Sequence, residues 1–341
     1  MAAALDRTWS TALVADIGGT WVRFALARQE AAPTPRLRAE ARLAVANYPS
    51  LIAAARHYLE GLDATLPQPT HAAFAVAGRV EGDRATMTNH PWCIDANECA
   101  SSLGLSEVLL LNDFTAQAHA LPCLAAAERQ RIGLPDHALD QREAWTVAVL
   151  GPGTGLGVSA LLRRSGAPFA LSSEGGHAAF APKTARQRVL LEHLSERFPR
   201  VSYERLISGS GLSNLHWAMA RRGGGTAPDD LRPEDVTARA RGGDAMAGET
   251  IEVFCEIFGA FAGDLVLTFG AWDGVYLSGG LVPLLLEELR AGAFRRAFET
   301  KGRFSEAMTR VPVHAVLHPQ PGLLGAAALA FEGAATEPGV A

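Results

Sequence analysis

Two similar glycine turns constrain the fold of this chain more than any other feature. Residues 11–27 form two apolar runs separated by a Gly-Gly-Thr turn, and residues 145–162 repeat that pattern around a turn with three glycines. Apolar runs joined by a glycine turn predict a β-hairpin at each place. Thr20 and Thr154 hold matching positions 134 residues apart. A repeat of this kind predicts two similar halves, and a cleft between them is the expected ligand site.

The segments that follow each hairpin alternate between strand and helix patterns. Apolar residues at helical spacing predict buried helices, and short apolar runs that end in polar residues predict buried strands. Strands that alternate with helices indicate α/β layers rather than a helical bundle or a β-sandwich. The predicted helices are residues 48–59, 249–269 and 282–289, and the predicted strands are residues 71–77, 108–112 and 274–278.

The composition excludes several classes of protein. A chain of 341 residues is long enough for about two domains, each with its own core. The net charge of -5 has the wrong sign for nucleic-acid binding. The apolar runs fall well short of the roughly 18 residues that a membrane span requires. We therefore expect neither a nucleic acid nor a membrane as a partner.

The cysteines and the N-terminus indicate the compartment. Cys93, Cys99, Cys123 and Cys255 are scattered without a CxxC pair, so neither a disulfide framework nor a structural zinc site is predicted. Residues 1–10 lack the hydrophobic segment and the cleavage site of an export signal. A reducing cytoplasm is the expected location.

The distribution of lysine excludes a common ATP-binding loop. Lys183 and Lys301 are the only lysines of the chain, and neither follows a glycine-rich turn. The GxxxxGK[ST] loop needs its lysine on the β- and γ-phosphates, so that architecture is excluded. The VAIK and HRD patterns of protein kinases are missing as well. If this chain handles ATP, it must do so with another architecture.

The first turn has the residue types of a phosphate site. Glycines permit the positive φ angles that aim successive backbone N–H groups at one anion without any lysine. The carboxylate at the end of the preceding strand could hold Mg²⁺ through water, so the metal would be carried by ATP and not by a direct protein site. An ordinary hairpin turn is the alternative for this motif taken alone. The candidate ATP-binding residues here are Ala15, Asp16, Ile17, Gly18, Gly19 and Thr20, with Asp16 as the carboxylate.

The second turn strengthens the phosphate interpretation, because two threonine-bearing turns on opposite halves can hold one polyphosphate from both sides. A third motif, Leu-Ser-Gly-Gly, places a strand end against a helix without side chains between them. It could support the adenine or the ribose, and tight packing is the alternative. These motifs add Gly151, Gly153, Thr154, Gly155, Gly279 and Gly280 to the candidate ATP-binding residues.

Asp113 is the candidate general base. It follows Asn112 at the end of the strand predicted at residues 108–112, where a carboxylate can point out of the sheet into a cleft. Phosphorylation of an alcohol requires a group that accepts the hydroxyl proton, and an aligned Asp does this in kinases. The alternative is that Asp113 caps the helix that opens at the next residues.

Polar residues in two further segments suit a neutral polyol. Glu174 and His177 lie in a Glu-Gly-Gly-His segment, and Glu204 lies in Ser-Tyr-Glu-Arg. Ionised carboxylates accept two or more hydrogen bonds each, so with Asn112 and His177 they could bind sugar hydroxyls and reject anionic substrates. A surface Glu and a His at the edge of the core are the alternatives. His177 has no accompanying cysteine, so a zinc site is not predicted there.

Eight motifs, in this order, resemble the bacterial ATP-dependent glucokinase family. They are ADIGGT, TNHPW, LLLNDFTA, LGPGTGLG, SEGGHAAFAP, SYERLISGSGL, YLSGGLVP and HPQPGLLGAAAL, and they cover almost the whole chain. The resemblance implies two ribonuclease H-like α/β domains, of the actin and hexokinase type, that flank a deep cleft. The small domain would comprise residues 1–124 with 315–341, and the large domain would comprise residues 125–314.

The resemblance also implies an activity and the residues that perform it. The reaction is transfer of the γ-phosphoryl group from Mg-ATP to the 6-hydroxyl of glucose, which gives glucose 6-phosphate and ADP and feeds glycolysis. Asp113 would bind the 6-hydroxyl and take its proton, and no covalent enzyme intermediate is needed. A homodimer is implied by the family alone. The partners of the other sugar hydroxyls would be Asn112, Glu174, His177 and Glu204.

Two departures from the patterns of relatives bear on this interpretation. Trp21 directly follows the first turn, where family members often carry a small Asn, so a nucleotide contact is expected to be lost. The chain also lacks the CxCGxxGC zinc cluster of the related repressor and sugar-kinase group. That absence points to the zinc-free branch of glucokinases.

Two other functions stay open. A kinase for mannose, fructose or an N-acetylated hexosamine would use the same frame, because the sequence gives the hydroxyl-binding residues but not the space beside carbon 2. A sugar sensor that regulates transcription would need a DNA-reading module. The first predicted strand begins by about residue 11, which leaves no room for a helix-turn-helix before it, and the acidic net charge disfavours DNA.

Overall fold

The chain forms two compact units. The computed structural model describes residues 11–29, 34–88, 90–135, 139, 143–225 and 231–332. The first unit lies within Met1–Ala125, Arg163–Ala170 and His318–Ala341, and the second lies within Ala126–Leu162 and Leu171–Leu317. The prediction that the chain carries no export signal concerns residues 1–10, which lie outside the described residues.

Helices and strands alternate along the chain, which confirms the predicted α/β class. The strands are β1 (Thr11–Ile17), β2 (Trp21–Arg28), β3 (Arg36–Ala44), β4 (His71–Val76), β5 (Gly78–Glu81), β6 (Arg84–Met87), β7 (Cys93–Asp95), β8 (Val108–Asn112), β9 (Arg129–Arg131), β10 (Ala144–Pro152), β11 (Leu156–Arg164), β12 (Phe169–Ser173), β13 (Gly274–Leu277) and β14 (Val313–Val316). The helices are α1 (Leu51–Glu60), α2 (Ala96–Leu103), α3 (Asp113–Ala120), α4 (Ala185–Arg197), α5 (Gly209–Arg222), α6 (Pro233–Arg241), α7 (Ala245–Phe269), α8 (Leu281–Leu284), α9 (Leu286–Arg290), α10 (Ala293–Glu299), α11 (Ser305–Met308) and α12 (Pro321–Glu332).

The first unit is built on a sheet in the strand order β3-β2-β1-β4-β8. β1 pairs antiparallel with β2 and parallel with β4, which in turn pairs parallel with β8. Both faces of β1 are buried, because Leu13 and Ile17 belong to one apolar cluster and Ala12 and Val14 belong to another. Burial on both faces explains why the sequence of β1 is an almost continuous apolar run. The first cluster contains residues of α1 and α2, and the second contains residues of α3 and α12.

The parallel strands of this sheet end at one edge. Their register pairs Ile17 with Val76, and Val76 with Asn112. The turn after β1 and the start of α3 therefore lie at the same edge of the sheet. This is the edge at which the candidate residues of the first unit collect.

The second unit is built on a sheet in the order β12-β11-β10-β13-β14-β9. β10, β13 and β14 are parallel, and Leu150 pairs with Leu277, which pairs with Ala315. The order β12-β11-β10-β13-β14 repeats the order β3-β2-β1-β4-β8 of the first unit. In both sheets the strand before the glycine turn, β1 or β10, lies between the strand after that turn and a parallel strand. Each predicted glycine turn joins two neighbouring strands, β1 with β2 and β10 with β11.

The long helix predicted at residues 249–269 is α7, which runs through the core of the second unit. It begins after Asp244, whose side chain accepts hydrogen bonds from two backbone N–H groups, and it ends before Gly270 in the left-handed conformation. The single helix predicted at residues 282–289 is wrong, because Leu285, with φ -105° and ψ 19°, separates α8 from α9. No described helix, α7 included, combines the length and the apolar character needed to cross a membrane.

Candidate active site

The candidate residues divide between the two units. The first unit holds Ala15, Asp16 and Ile17 in β1, Gly18, Gly19 and Thr20 in the following turn, Asn112 at the end of β8 and Asp113 at the start of α3. The second unit holds Gly151 near the end of β10, Gly153, Thr154 and Gly155 in the following turn, Gly279 and Gly280 between β13 and α8, and Glu174, His177 and Glu204 in or beside two 3₁₀ turns.

The first glycine turn is partly exposed to solvent and is closed by a backbone hydrogen bond. The N–H of Gly18 donates to the carbonyl oxygen of Trp21 at 2.9 Å, and Thr20 is exposed. The predicted positive φ is wrong at Gly18, whose φ lies outside the left-handed region. A Cβ at this position would meet its nearest neighbour at 3.4 Å, so packing does not require glycine here.

Asp16 is held at the end of β1 by two neighbours. The register of the hairpin places Arg23 opposite Asp16, and the Nη1 atom of Arg23 lies 3.4 Å from the Oδ2 atom. A Cβ on Gly322, at the start of α12, would come within 2.9 Å of the carboxyl carbon of Asp16. Burial raises the pKa of Asp16, and Arg23 opposes that shift. A cation near this carboxylate would favour its ionised form.

Asn112 and Asp113 have different structural roles at the junction of β8 and α3. The side-chain oxygen of Asn112 accepts hydrogen bonds from the N–H groups of Phe114 at 2.9 Å and Thr115 at 3.2 Å, and its amide nitrogen donates to the carbonyl of Gly78 at 3.2 Å. Asn112 is therefore the N-cap of α3. Asp113 is the first helical residue and not the N-cap, although its Oδ1 atom also accepts a hydrogen bond from the N–H of Phe114 at 3.0 Å.

The first unit brings its candidates to within one small region. Asp16 pairs with Ala75 of β4, and Ala75 pairs with Leu111 of β8, so β4 is the single strand that separates Asp16 from Asp113. Strands lie about 4.8 Å apart, which puts the ends of β1 and β8 about 10 Å apart across the sheet. This spacing suits a phosphate group at the turn and an acceptor alcohol at Asp113.

The second glycine turn depends on a close approach of the backbone. A Cβ on Gly151 would overlap the carbonyl oxygen of Ser278, and Gly279 has a φ of +93° beside Pro152. Within the turn, the N–H of Gly153 donates to the carbonyl of Gly155 at 2.8 Å. Like Gly18 of the first turn, Gly151, Gly153 and Gly155 have no φ in the left-handed region. Space, and not backbone handedness, is what Gly151 provides.

Glu204 connects the second turn to the sugar-binding candidates. Its Oε2 atom accepts a hydrogen bond from the N–H of Leu156 at 3.0 Å, and a Cβ on Gly155 would lie 2.5 Å from that oxygen. Its Oε1 atom lies 4.0 Å from the Nδ1 atom of His177. One oxygen of Glu204 thus fixes the turn while the other faces His177.

The Glu-Gly-Gly-His segment is packed tightly against β11. The N–H of Gly175 donates to the hydroxyl of Ser173 at 2.9 Å, and a Cβ on Gly176 would overlap the carbonyl oxygen of Leu156. His177 remains half exposed, with 53% of its side chain accessible. The second unit therefore brings Glu174, His177, Glu204 and the second turn together.

Several supporting residues were missed by the sequence reasoning. The hairpin register around the first turn pairs position 16 with Arg23, so this partner could have been found from the turn alone. Gly322 and the N–H of Leu156 gave no such signal, because each meets its carboxylate through a contact between distant segments. In the described part of the chain, no group of three or more His, Cys, Asp or Glu residues is arranged to hold a metal ion.

An α/β frame with lysine-free glycine turns, a carboxylate at a strand end and polyol-type side chains is the arrangement expected of a sugar kinase. A family model described as Glucokinase matches residues 13–332. A glucokinase of Stenotrophomonas maltophilia (strain R551-3) is 50% identical over 333 residues, which cover 96% of this chain and 97% of that protein. The chain belongs to the glucokinase family.

Solved structures agree with this assignment. A glucokinase from an Antarctic psychrotroph is 35% identical with a TM-score of 0.83, covering 94% of this chain and 98% of that one. A ROK family glucokinase from Streptomyces griseus, solved with glucose and AMPPNP, shares the fold at 21% identity and a TM-score of 0.61, with 94% and 98% coverage. The predicted family and the predicted enzyme, a glucokinase, are confirmed.

Proposed function

We propose that this chain transfers the γ-phosphoryl group of ATP to the 6-hydroxyl of glucose, with Asp113 as the general base. The observation that carries the proposal is the junction of β8 and α3 in a chain of the glucokinase family. Asn112 is the N-cap there, and Asp113 adds only one hydrogen bond, from the N–H of Phe114 to its Oδ1 atom, so its other carboxylate oxygen can serve as the base. Its position at the edge that also bears the first turn suits a base beside a phosphate site.

Sugar recognition falls to residues that can accept or donate without attracting anions. Glu174 and Glu204 accept hydrogen bonds from hydroxyls, and the exposed imidazole of His177 can do either. Asn112 uses one amide N–H on the carbonyl of Gly78, and its second N–H can meet a sugar oxygen. This set, together with Asp113, provides partners for a neutral hexose.

ATP is proposed to lie against the two glycine turns and the Gly279–Gly280 step. The N–H groups of Gly18 and Gly153 are used within their own turns, so the phosphate oxygens would meet the other backbone N–H groups of the turns, and such donors bind an anion without a lysine. Asp16 fits the Mg²⁺ that accompanies ATP, because it is a partly accessible carboxylate beside the first turn and hard oxygen ligands are those that Mg²⁺ prefers. When bound, the metal neutralises charge on the phosphates.

The chemistry needs one displacement and one proton transfer. The oxygen of the 6-hydroxyl forms a bond to the γ-phosphorus, the bond from that phosphorus to the bridging oxygen of ADP breaks, and the hydroxyl proton passes to Asp113. Such transfer needs positioning and charge stabilisation more than covalent participation of the protein. Asp113 holds the acceptor oxygen and removes its proton as the new bond forms.

The architecture proposed from the resemblance completes this function. Two ribonuclease H-like domains, residues 1–124 with 315–341 and residues 125–314, would flank a deep cleft that holds glucose and ATP. The strand order that recurs in both units supports two domains of the same kind. A homodimer and a cytoplasmic location follow from the family in the same way.

The proposed function is tested by a coupled assay for the sugar 6-phosphate with Mg-ATP and a panel of hexoses. We expect kcat/KM to be highest for glucose. Turnover of mannose, fructose or an N-acetylhexosamine in preference to glucose would support a sugar kinase but contradict glucose as its substrate. Binding of glucose without any turnover would favour a sensor and contradict the proposal.

Glucose is expected to slow hydrogen exchange of the backbone amides near Asn112 and Glu174. A ligand bound only by the closed, folded site opposes local opening, and at 100 times its Kd it slows such exchange by about 100-fold. Amides of α2 provide the control, because no candidate residue lies on that helix. Exchange that is unchanged at both segments with saturating glucose would count against sugar binding there.

Replacing Trp21 with Asn is expected to lower KM for ATP by about fivefold, because a polar side chain beside the first turn restores one neutral hydrogen bond to the nucleotide. In the structure the guanidinium of Arg42 lies 3.9 Å from the centre of the Trp21 ring. The same substitution should therefore lower the free energy of unfolding by about 0.5–1 kcal/mol. Trp21→Phe, which keeps an aromatic ring, is the control, and equal KM values for both variants would contradict the expectation.

A further inference from the structure

The two lysines of the chain meet on one carboxylate in the second unit. The Nζ atom of Lys301 lies 2.5 Å from the Oδ1 atom of Asp264 and 2.6 Å from the carbonyl oxygen of Ala260. The Nζ atom of Lys183 lies 3.3 Å from each oxygen of the same carboxylate. Only 3% of the Lys301 side chain is exposed, against 37% of Lys183. Asp264 thus joins a buried amine to a partly exposed one.

Two cations crowd around the single carboxylate of Asp264. Burial lowers the pKa of Lys301 to about 8, Lys183 acts in the same direction, and Asp264 opposes both. Near pH 8 the cluster can lose one proton, which relieves the repulsion between the two amines. Arginine would stay charged and could not relieve it.

Lys183 lies at the end of the backbone segment that carries Glu174 and His177. That segment pairs with the segment that carries Glu204, since the N–H of Tyr203 donates to the carbonyl of Ala178 at 3.0 Å. An isolated bridge between Ala179 and Ser202 continues the pairing. The three sugar-binding candidates of the second unit therefore lie on one paired piece of backbone.

Two contacts fix this paired backbone to α7. The ring of Tyr203, the residue before Glu204, stacks on the ring of Phe261 with centroids 4.1 Å apart. One turn further along α7, Asp264 binds Lys183. Lys301 in turn ties Asp264 to the chain after α10. Phe261 and Asp264 are thus two points of α7 that contact the paired backbone.

We infer that Asp264 is a positioning residue for glucose, which acts through Lys183 to hold Glu174, His177 and Glu204 in register. The inference rests on the proposed function, because it assumes that these three side chains bind the sugar. A misplacement of about 1 Å in a binding group can cost as much as 100-fold in rate. Loss of a tether one segment away from the ligand should have a smaller effect. That effect should be on the KM for glucose and not on the KM for ATP.

The first test is Lys183→Met, which removes the tether and leaves the buried pair of Lys301 and Asp264 intact. We expect KM for glucose to rise by about tenfold, with KM for ATP and kcat within about twofold of wild type. The melting temperature should hardly change, because a partly exposed ion pair contributes little to stability. Lys183→Arg keeps the charge and should keep KM for glucose near the wild-type value. A normal KM for glucose in Lys183→Met would overturn the inference.

The second test is Asp264→Asn, compared with Val266→Ala, a substitution in the core two residues along α7. Both variants should lower the melting temperature, but only Asp264→Asn should raise KM for glucose. Equal effects of the two on KM would assign Asp264 a general structural role and overturn the inference. Calorimetric titration of the wild-type protein with glucose separates failure of the proposed function from failure of the positioning role. Absence of glucose binding to wild type contradicts the proposed function, whereas normal binding with unaffected variants contradicts only the positioning role.

Discussion

Replacing Asp113 with Asn is expected to lower kcat by about 10³-fold while glucose still binds, because the amide keeps the shape of the side chain but cannot accept the proton of the 6-hydroxyl. Asn112 continues to cap α3, since its side-chain oxygen accepts from the N–H groups of Phe114 and Thr115, and an amide oxygen at position 113 can still accept from the N–H of Phe114 as Asp113 does at 3.0 Å. The helix should therefore keep its place. The measurement is the coupled glucose 6-phosphate assay together with calorimetric titration of glucose.

Asp95→Asn is the matched control for this substitution. Asp95 also lies where a strand meets a helix in the first unit, and its side chain caps α2. Asn is an equally good cap, and the ion pair that Asp95 loses, with the exposed Arg84 at 3.0 Å, contributes little, so stability and turnover should stay close to wild type. Comparable turnover by Asp113→Asn and wild type would remove Asp113 from the role of base. Loss of both turnover and glucose binding would make Asp113 a binding residue first.

The glycine turns, the strands next to them and the long helix could be predicted from the sequence because their signals are local. An apolar run that stops at a glycine turn specifies a strand whatever its partners are. The resemblance to a family then implied how these elements form two domains. It also implied roles for Asp113 and Glu204, but not the contacts that hold their side chains. The assignment of the cap to Asn112 could not be read from the sequence, since two adjacent residues were both able to cap α3.

Contacts between distant segments account for what the sequence could not give. Glu204 could be predicted to bind a hydroxyl, but its hydrogen bond to the N–H of Leu156 joins residues 48 apart and follows no periodicity. The convergence of Lys183 and Lys301 on Asp264 is of the same kind, because the three residues come from three segments. At Gly18 a positive φ was the wrong explanation, whereas Gly279 does have one, and at Gly151 a close approach of the backbone is what the structure shows.

Gly151→Ala is expected to destabilise the second unit by about 3 kcal/mol, the upper end of the usual cost of overpacking. The added methyl group would overlap the carbonyl oxygen of Ser278, which belongs to the backbone and cannot rotate away. Because Gly151 lies one residue before the end of β10 and beside the end of β13, the overlap also separates the two strands from which the second turn and the Gly279 step extend. The free energy of unfolding, measured with urea in the absence of ligands, checks the first part of this expectation.

Gly153→Ala in the same turn separates the need for packing from the need for a ligand. A Cβ at Gly153 has no neighbour within 4 Å, so its free energy of unfolding should change by less than about 0.5 kcal/mol. If ATP lies against this turn, the same methyl group meets the phosphates and raises KM for ATP by about tenfold, the effect of losing one hydrogen bond to a charged group. A normal KM for ATP in this variant would move the nucleotide away from the second turn. A loss of stability as large as that of Gly151→Ala would instead show that both glycines serve packing. An effect on the KM for ATP without a loss of stability is what identifies Gly153 as a position that a ligand, and not the protein, requires to be small.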